Sequence, residues 1–248
     1  MERIASICRD MGIVDVGVAD PTLWDTDPLA SSRTPMGGRP LSIMPDAHSV
    51  IVIGIPIQTT VLDTAPSIYY NHLYSVVNDM LDHAAERIAL ELMTLGRRAV
   101  YVPRDGYFGI AGLRKDPTAF FSHRHSAYLA GMGTFGYSGM LLTPAYGPRI
   151  RFTSIISNAE IPCGTPMEGQ LCTSCGRCTK MCPAGAVPDA IYPLGLTDKK
   201  ACVEMHAQLG EKGTTPCGRC IAVCPIGRDR GPAPTREAVE LIRGYAKK

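Results

Sequence analysis

The longest apolar run in the chain is SVIVIGIPI, from Ser49 to Ile57. It is too short to cross a bilayer and reads as a strand with both faces buried. From Ile68 to Leu95 the pattern changes period. Val77, Met80, Leu81, Ala84, Ile88, Leu92 and Leu95 recur at three- and four-residue steps, with Asp79, Asp82, Glu86 and Arg87 on the opposite face. This predicts a long amphipathic helix that Gly96 caps. Met1 to Met11 predicts a short helix ending at Gly12, followed by strands at Ile13–Val18, Arg98–Val102 and Arg149–Ser157. Pro21 to Pro45, rich in Pro, Gly and Ser, reads as a long surface excursion. Strand, helix and strand in succession predict an α/β layer upstream of about residue 160.

Composition narrows the classes. The chain has 248 residues, 45% hydrophobic and 19% charged, enough for a real core. Its net charge of +2 comes without a long block of either sign, so nothing electrostatic demands nucleic acid or an anionic membrane. Met1 to Asp20 shows neither a signal-peptide apolar region nor a twin-arginine motif, so a cytoplasmic protein is expected, with no membrane partner. A reducing cytosol leaves ten cysteines to explain, eight of them after Leu171. Cys8 and Cys163 stand apart and read as small packed residues.

Those eight fall into two runs. LCTSCGRCTKMCP carries Cys172, Cys175, Cys178 and Cys182-Pro183, the bacterial ferredoxin spacing in which the fourth cysteine serves the other cluster. Cys202 and then CGRCIAVCP, with Cys217, Cys220 and Cys224-Pro225, form the second set. Exchange of the fourth ligands gives one [4Fe–4S] cluster on Cys172, Cys175, Cys178 and Cys224. The second then lies on Cys182, Cys202, Cys217 and Cys220. Zinc is the structural alternative for C-x2-C pairs, but the x3-C-P endings favour iron–sulfur. The organisation expected is α+β: a domain over residues 1–160, a double-cluster ferredoxin-like domain over 161–230, and a C-terminal helix over 231–248.

Between helix and strand lies AGMGTFGYSGMLLTPAYGPR, Ala130 to Arg149. From the residues alone its glycines read as a tight turn, because GxGxxG neither follows the first strand nor opens a helix. No haem motif and no flavin fingerprint appears.

With the two cysteine runs behind it, this segment resembles the epoxyqueuosine reductase family and the related cobalamin-dependent reductive dehalogenases. Gly131, Gly133, Gly136, Leu141, Leu142 and Gly147-Pro148 fall on the family's positions, and RPLSIMPDAHSVIVIGIPI is similar to its first-strand segment. The resemblance implies a nitroreductase-like upstream domain that holds a corrinoid (cobalamin) against the clusters. It implies a cradle at Gly131, Gly133, Gly136, Tyr137 and Ser138, a wall at Arg149 and Arg151, and a rim contact from Arg39. It offers Asp116 as proton donor, one residue out of register, with His123 and His125 as alternatives and Tyr70 and Tyr74 near the family's helix-start motif. The family's Trp-x-Gly-Lys is Thr134-Phe135-Gly136-Tyr137 here. With no helical-repeat tail after Lys248 and little net charge, a tRNA substrate is not expected. A cobalamin-dependent enzyme acting on a small electrophile, with ferredoxin or flavodoxin as electron donor, is the first expectation. A corrinoid reductase serving a partner protein and a plain electron-transfer protein are the alternatives.

Overall fold

The computed structural model describes residues 2–104 and 109–229. The helix expected over residues 231–248 lies outside the described residues. A four-stranded sheet in the order β1-β2-β6-β3 organises the upstream part: β1 (Asp15–Ala19), β2 (Ser49–Pro56), β3 (Ala99–Val102) and β6 (Ile150–Ser157). Two short strands, β4 (Thr134–Phe135) and β5 (Leu141–Leu142), form a separate antiparallel pair.

Every pairing in the large sheet is antiparallel, although a strand, a helix and a strand follow one another in the chain. The reason is an insertion. β2, the long helix Ile68–Thr94 and β3 do form a β-α-β unit whose strands run the same way, but β6 arrives later in the chain and pairs between them. The unit is a split one, and no local pattern reveals which strand fills the gap.

β2 sits inside the sheet, and Val50 to Ile55 are buried without alternation. One face, through Ile51, Ile53 and Ile55, packs with Ile155 against Val77, Leu81, Ala84, Ile88 and Leu92 of the long helix and Ile4 and Ile7 of the first. The other, through Val50 and Val52, packs with Ile156, Phe152, Trp24, Phe121 and Leu129. Two covered faces explain why the sequence there is a continuous apolar run.

The Pro21–Pro45 stretch is not a surface excursion. It folds into four short helical turns, Leu23–Thr26, Pro28–Arg33, Met36–Gly38 and Pro40–Ile43, that bury Trp24 at 1% exposure in the core. Proline and glycine here start and stop turns that cover the sheet. Cys8 is packed in the core as expected, whereas Cys163 is exposed.

The glycine segment is explained by its own backbone. A Cβ at Gly133 would lie 2.0 Å from the Leu142 carbonyl oxygen, and one at Gly131 (φ +75°) would lie 2.3 Å from that of Thr165. These glycines let β4, β5 and the Thr165 loop approach one another; they do not leave space for a ligand. Gly133→Ala is therefore expected to abolish folding rather than to remove one cofactor. Circular dichroism and iron content of the variant should fall together. A soluble, iron-replete Gly133→Ala protein would contradict the packing described.

Candidate iron–sulfur site

Cys175 and Cys217 each precede Gly-Arg-Cys, and the two CGRC segments fold alike. Gly176 (φ +65°) and Gly218 (φ +68°) take the left-handed conformation that starts a one-turn helix, Arg177–Lys180 and Arg219–Ala222. Each helix carries the next cysteine, Cys178 or Cys220. Left-handed backbone at these two points is why glycine stands there.

The cysteines of the two runs come together in the fold. Burial raises the Cys224 thiol, and its cysteine neighbours are Cys178 and Cys172. Burial likewise raises Cys202, beside Cys182 and Cys217, and Cys217, beside Cys182. Cys220 is pushed up to about 12, by burial first and then by Cys202, Cys217, Cys178 and Cys182. Cys172, Cys175, Cys178, Cys220 and Cys224 line one hollow. Cys182 thus has Cys202, Cys217 and Cys220 as neighbours, although its own run is the first.

The donor set fits a cluster better than a point ion. Eight thiols on two runs, each ending in Cys-Pro, are a donor set that would suit two four-iron clusters. Zinc draws four sulfurs to one centre at about 2.3 Å, whereas a cube holds its ligands apart at the corners. The raised thiols need a compensating positive charge to ionise, and iron would supply it.

Side chains of the upstream part fix the cysteine runs in place. The Thr134 hydroxyl donates to Gln170 Oε1 at 2.7 Å and accepts from the Leu171 amide at 3.0 Å, which sets the start of the first run. Asn71 donates to the Thr215 carbonyl, just before the second. Arg149 carries the heaviest duty. Fully buried, it donates from Nη1 to the Cys224 carbonyl at 2.9 Å and from Nη2 to that of Ile226 at 2.6 Å, and it pairs with Asp229 at 2.6 Å. It anchors the Cys224-Pro225 turn to the sheet, so the guanidinium expected at the corrinoid wall is engaged by the chain's own carbonyls and Asp229.

Other expected cofactor contacts are also engaged internally. Arg39 is buried, paired with Asp25 and donating to the carbonyls of Ser31 (2.7 Å) and Thr34 (3.3 Å), so it clamps its own loop, although its Nε, like that of Arg151, is buried without a hydrogen-bond partner among the described residues. Gly131 and Gly133 are closed by backbone, as above. Gly136, Tyr137 and Ser138 instead line the hollow of the first cysteine set, where a Cβ at Gly136 would lie 3.6 Å from Cys172 Sγ.

The proton-donor candidates divide similarly. Asp116 is exposed, and hydrogen bonds from the Thr118 amide and hydroxyl hold its carboxyl below the usual range, so at neutral pH it is an anion that caps a turn. His123 is buried, with Nδ1 3.0 Å from Ser154 Oγ and Nε2 3.2 Å from the Pro103 carbonyl oxygen. His125 is lowered to about 3, mainly by burial and then by Arg124, Lys199 and Arg33. It links Ser122 Oγ (2.7 Å) to Tyr192 Oη (3.0 Å) as a neutral ring. Sequence reasoning gave no hint of Tyr192, which lies 67 residues away.

Tyr70, Tyr74 and Arg151 do come together. The Arg151 guanidinium stacks over the Tyr74 ring at 4.0 Å, and its Nε is buried with no hydrogen-bond partner among the described residues. Burial raises Tyr70 strongly; Arg151 lies beside it, as do Cys220 and Cys217 of the second set. A Cβ at Gly218 would touch the Tyr70 ring at 2.5 Å. This junction joins the second cysteine set to an incompletely satisfied cation.

No family model matches the chain. It is 32% identical over 91 residues to an epoxyqueuosine reductase of Bacillus anthracis, a match covering 37% of this chain and 23% of the relative. A reductive dehalogenase, whose structure is described as suggesting a mechanism for B12-dependent dehalogenation, superposes with a TM-score of 0.68 at 18% identity. That superposition covers 99% of this chain and 34% of the dehalogenase. An epoxyqueuosine reductase with a modified tRNA stem loop superposes with a TM-score of 0.58 at 20% identity, over 97% and 69% of the two chains. This chain thus spans about a third of the dehalogenase, and the expectation against tRNA gains no support from a neighbour bound to a tRNA stem loop. Among the described residues no helix is long and apolar enough to cross a membrane. In sequence the chain is similar to epoxyqueuosine reductases, and over nearly its whole length it shares the fold of these enzymes and of the reductive dehalogenases.

Proposed function

We propose that this chain is an oxidoreductase that carries two [4Fe–4S] clusters on crossed cysteine sets and delivers electrons to a corrinoid, for reduction of a small electrophile. The observation that supports the reading is that Cys182, from the first run, has Cys202, Cys217 and Cys220 as neighbours. A crossed pair of sets is the arrangement of two-cluster ferredoxins.

For the corrinoid, the reading relies on Arg151, Tyr74 and Tyr70 in place of Arg39, Arg149, Gly131 and Gly133. Arg151 has an unpartnered buried Nε and an aromatic platform, suited to an amide arm of the ring or to a polar group of the substrate. Tyr70 is the buried contact between that position and the second cysteine set. A corrinoid held there would supply a strongly reducing cobalt centre, the chemistry being the cofactor's own. Arg151 and the tyrosines would bind and orient, and buried Tyr70 would exclude water along the approach.

Anaerobically purified protein is expected to hold about eight irons and eight sulfides. It should take up one cobalamin per chain, and Arg151→Met should weaken that uptake with iron unchanged. Stoichiometric zinc would overturn the cluster half of the reading, and iron-replete protein that ignores cobalamin would overturn the corrinoid half. Uptake without turnover of any small electrophile would favour a corrinoid reductase serving a partner protein.

A further inference from the structure

Beside Cys224 lies an open groove of about 710 Å³, lined by Arg177, Lys180, Met181, Ala222, Val223, Cys224 and Pro225. Its lining combines apolar side chains with two cations. Met181 is 46% exposed, a large apolar side chain presented to solvent. Arg177 and Lys180 are exposed on their one-turn helix, and neither has an ion-pair partner among the described residues. Cys224, a member of the first set, forms part of the wall. The Tyr70–Arg151 junction instead borders Cys217 and Cys220 of the second set.

We propose that this groove docks an acidic, low-potential electron-carrier protein and that electrons enter through the set containing Cys224. The inference rests on the iron–sulfur reading above and adds the surface and the direction of flow. Charge complementarity selects the occupant: two exposed cations without an ion-pair partner among the described residues steer an acidic partner, and exposed Met181 beside half-buried Val223 provides an adaptable apolar contact. A nucleic-acid backbone would call for more cations, since phosphate binders commonly neutralise about 6–10 charges. The exchange moves one electron. The reduced carrier is oxidised, the iron–sulfur group on Cys224 is reduced, no bond forms or breaks, and no proton moves.

The test uses the cluster-loaded protein and a small acidic bacterial ferredoxin. Lys180→Glu, and separately Arg177→Glu, should weaken binding of oxidised ferredoxin by about tenfold at low salt and flatten the salt dependence of its reduction rate. Iron content, the visible spectrum and the rate of reduction by dithionite should stay at wild-type values, which separates loss of docking from loss of the clusters. If Arg177→Glu, next to Cys178, alters the iron content, Lys180→Glu alone decides. Unchanged ferredoxin affinity in Lys180→Glu overturns the proposal. So does a variant that keeps ferredoxin affinity but loses binding of a tRNA stem loop, which would assign the groove to RNA.

Discussion

Cys182→Ser is expected to lower iron from about eight to about four per chain, and the iron lost should be that held by Cys202, Cys217 and Cys220. The expectation follows from position: Cys182 is the neighbour of Cys202 and Cys217, while Cys172 and Cys178 neighbour Cys224. Double variants make it decisive. Cys182→Ser with Cys217→Ser should lose no more than Cys182→Ser alone, because both ligands serve one cube. Cys182→Ser with Cys175→Ser should lose nearly all iron. Iron and sulfide analysis with electron paramagnetic resonance of the reduced protein reads both. If the first double variant is the empty one and the second keeps four irons, the crossed arrangement is wrong.

The second large effect lies outside the cysteines. Arg149→Met removes a fully buried cation and leaves the Asp229 carboxylate and the carbonyls of Cys224 and Ile226 without their donor. Removing one partner of a buried pair costs about 3–5 kcal/mol. For a domain of this size that corresponds to a fall in Tm of about 10 °C. The loss should begin locally, since the anchored turn carries Cys224. Iron of the first set should therefore become labile to chelators at temperatures where the second set is retained. Arg149→Lys keeps the charge but not the fork, and should recover only part of the difference. A Tm within 2 °C of wild type in Arg149→Met, measured by circular dichroism on the cluster-loaded protein, would mean the anchor has another basis.

How much of this was legible in the sequence depends on the range of the interaction. The helix Ile68–Thr94 and the four sheet strands lie within a few residues of their expected limits, because each is dictated by a local period of apolar positions. The one-turn helices that carry Cys178 and Cys220 are local in the same way, each opened by the glycine of its Cys-Gly-Arg-Cys segment. What failed was long-range. The insertion of β6 between β2 and β3, the burial of Trp24 under a proline-rich stretch and the duty of Arg149 all depend on partners tens of residues away. The glycine segment shows the limit most clearly. Its composition announces a close approach at Gly131 and Gly133, and only the fold reveals that the approaching groups are the chain's own carbonyls.

The late arrival of β6 has a consequence for biosynthesis. It pairs Ser157 with Ser49 and with Ala99, so both partner strands must wait for it. In a chain leaving the ribosome, β1, β2 and the long helix emerge first, with one flank of β2 bare and β3 unpaired. Exposed strand edges of this apolar character are templates for intermolecular association. Because Arg149 immediately precedes β6, the step that closes the sheet also brings up the anchor for the Cys224 turn. Iron loading is thereby placed after sheet closure in the assembly sequence, and slow translation between Pro56 and Ile150 lengthens the period in which a nascent chain depends on chaperones.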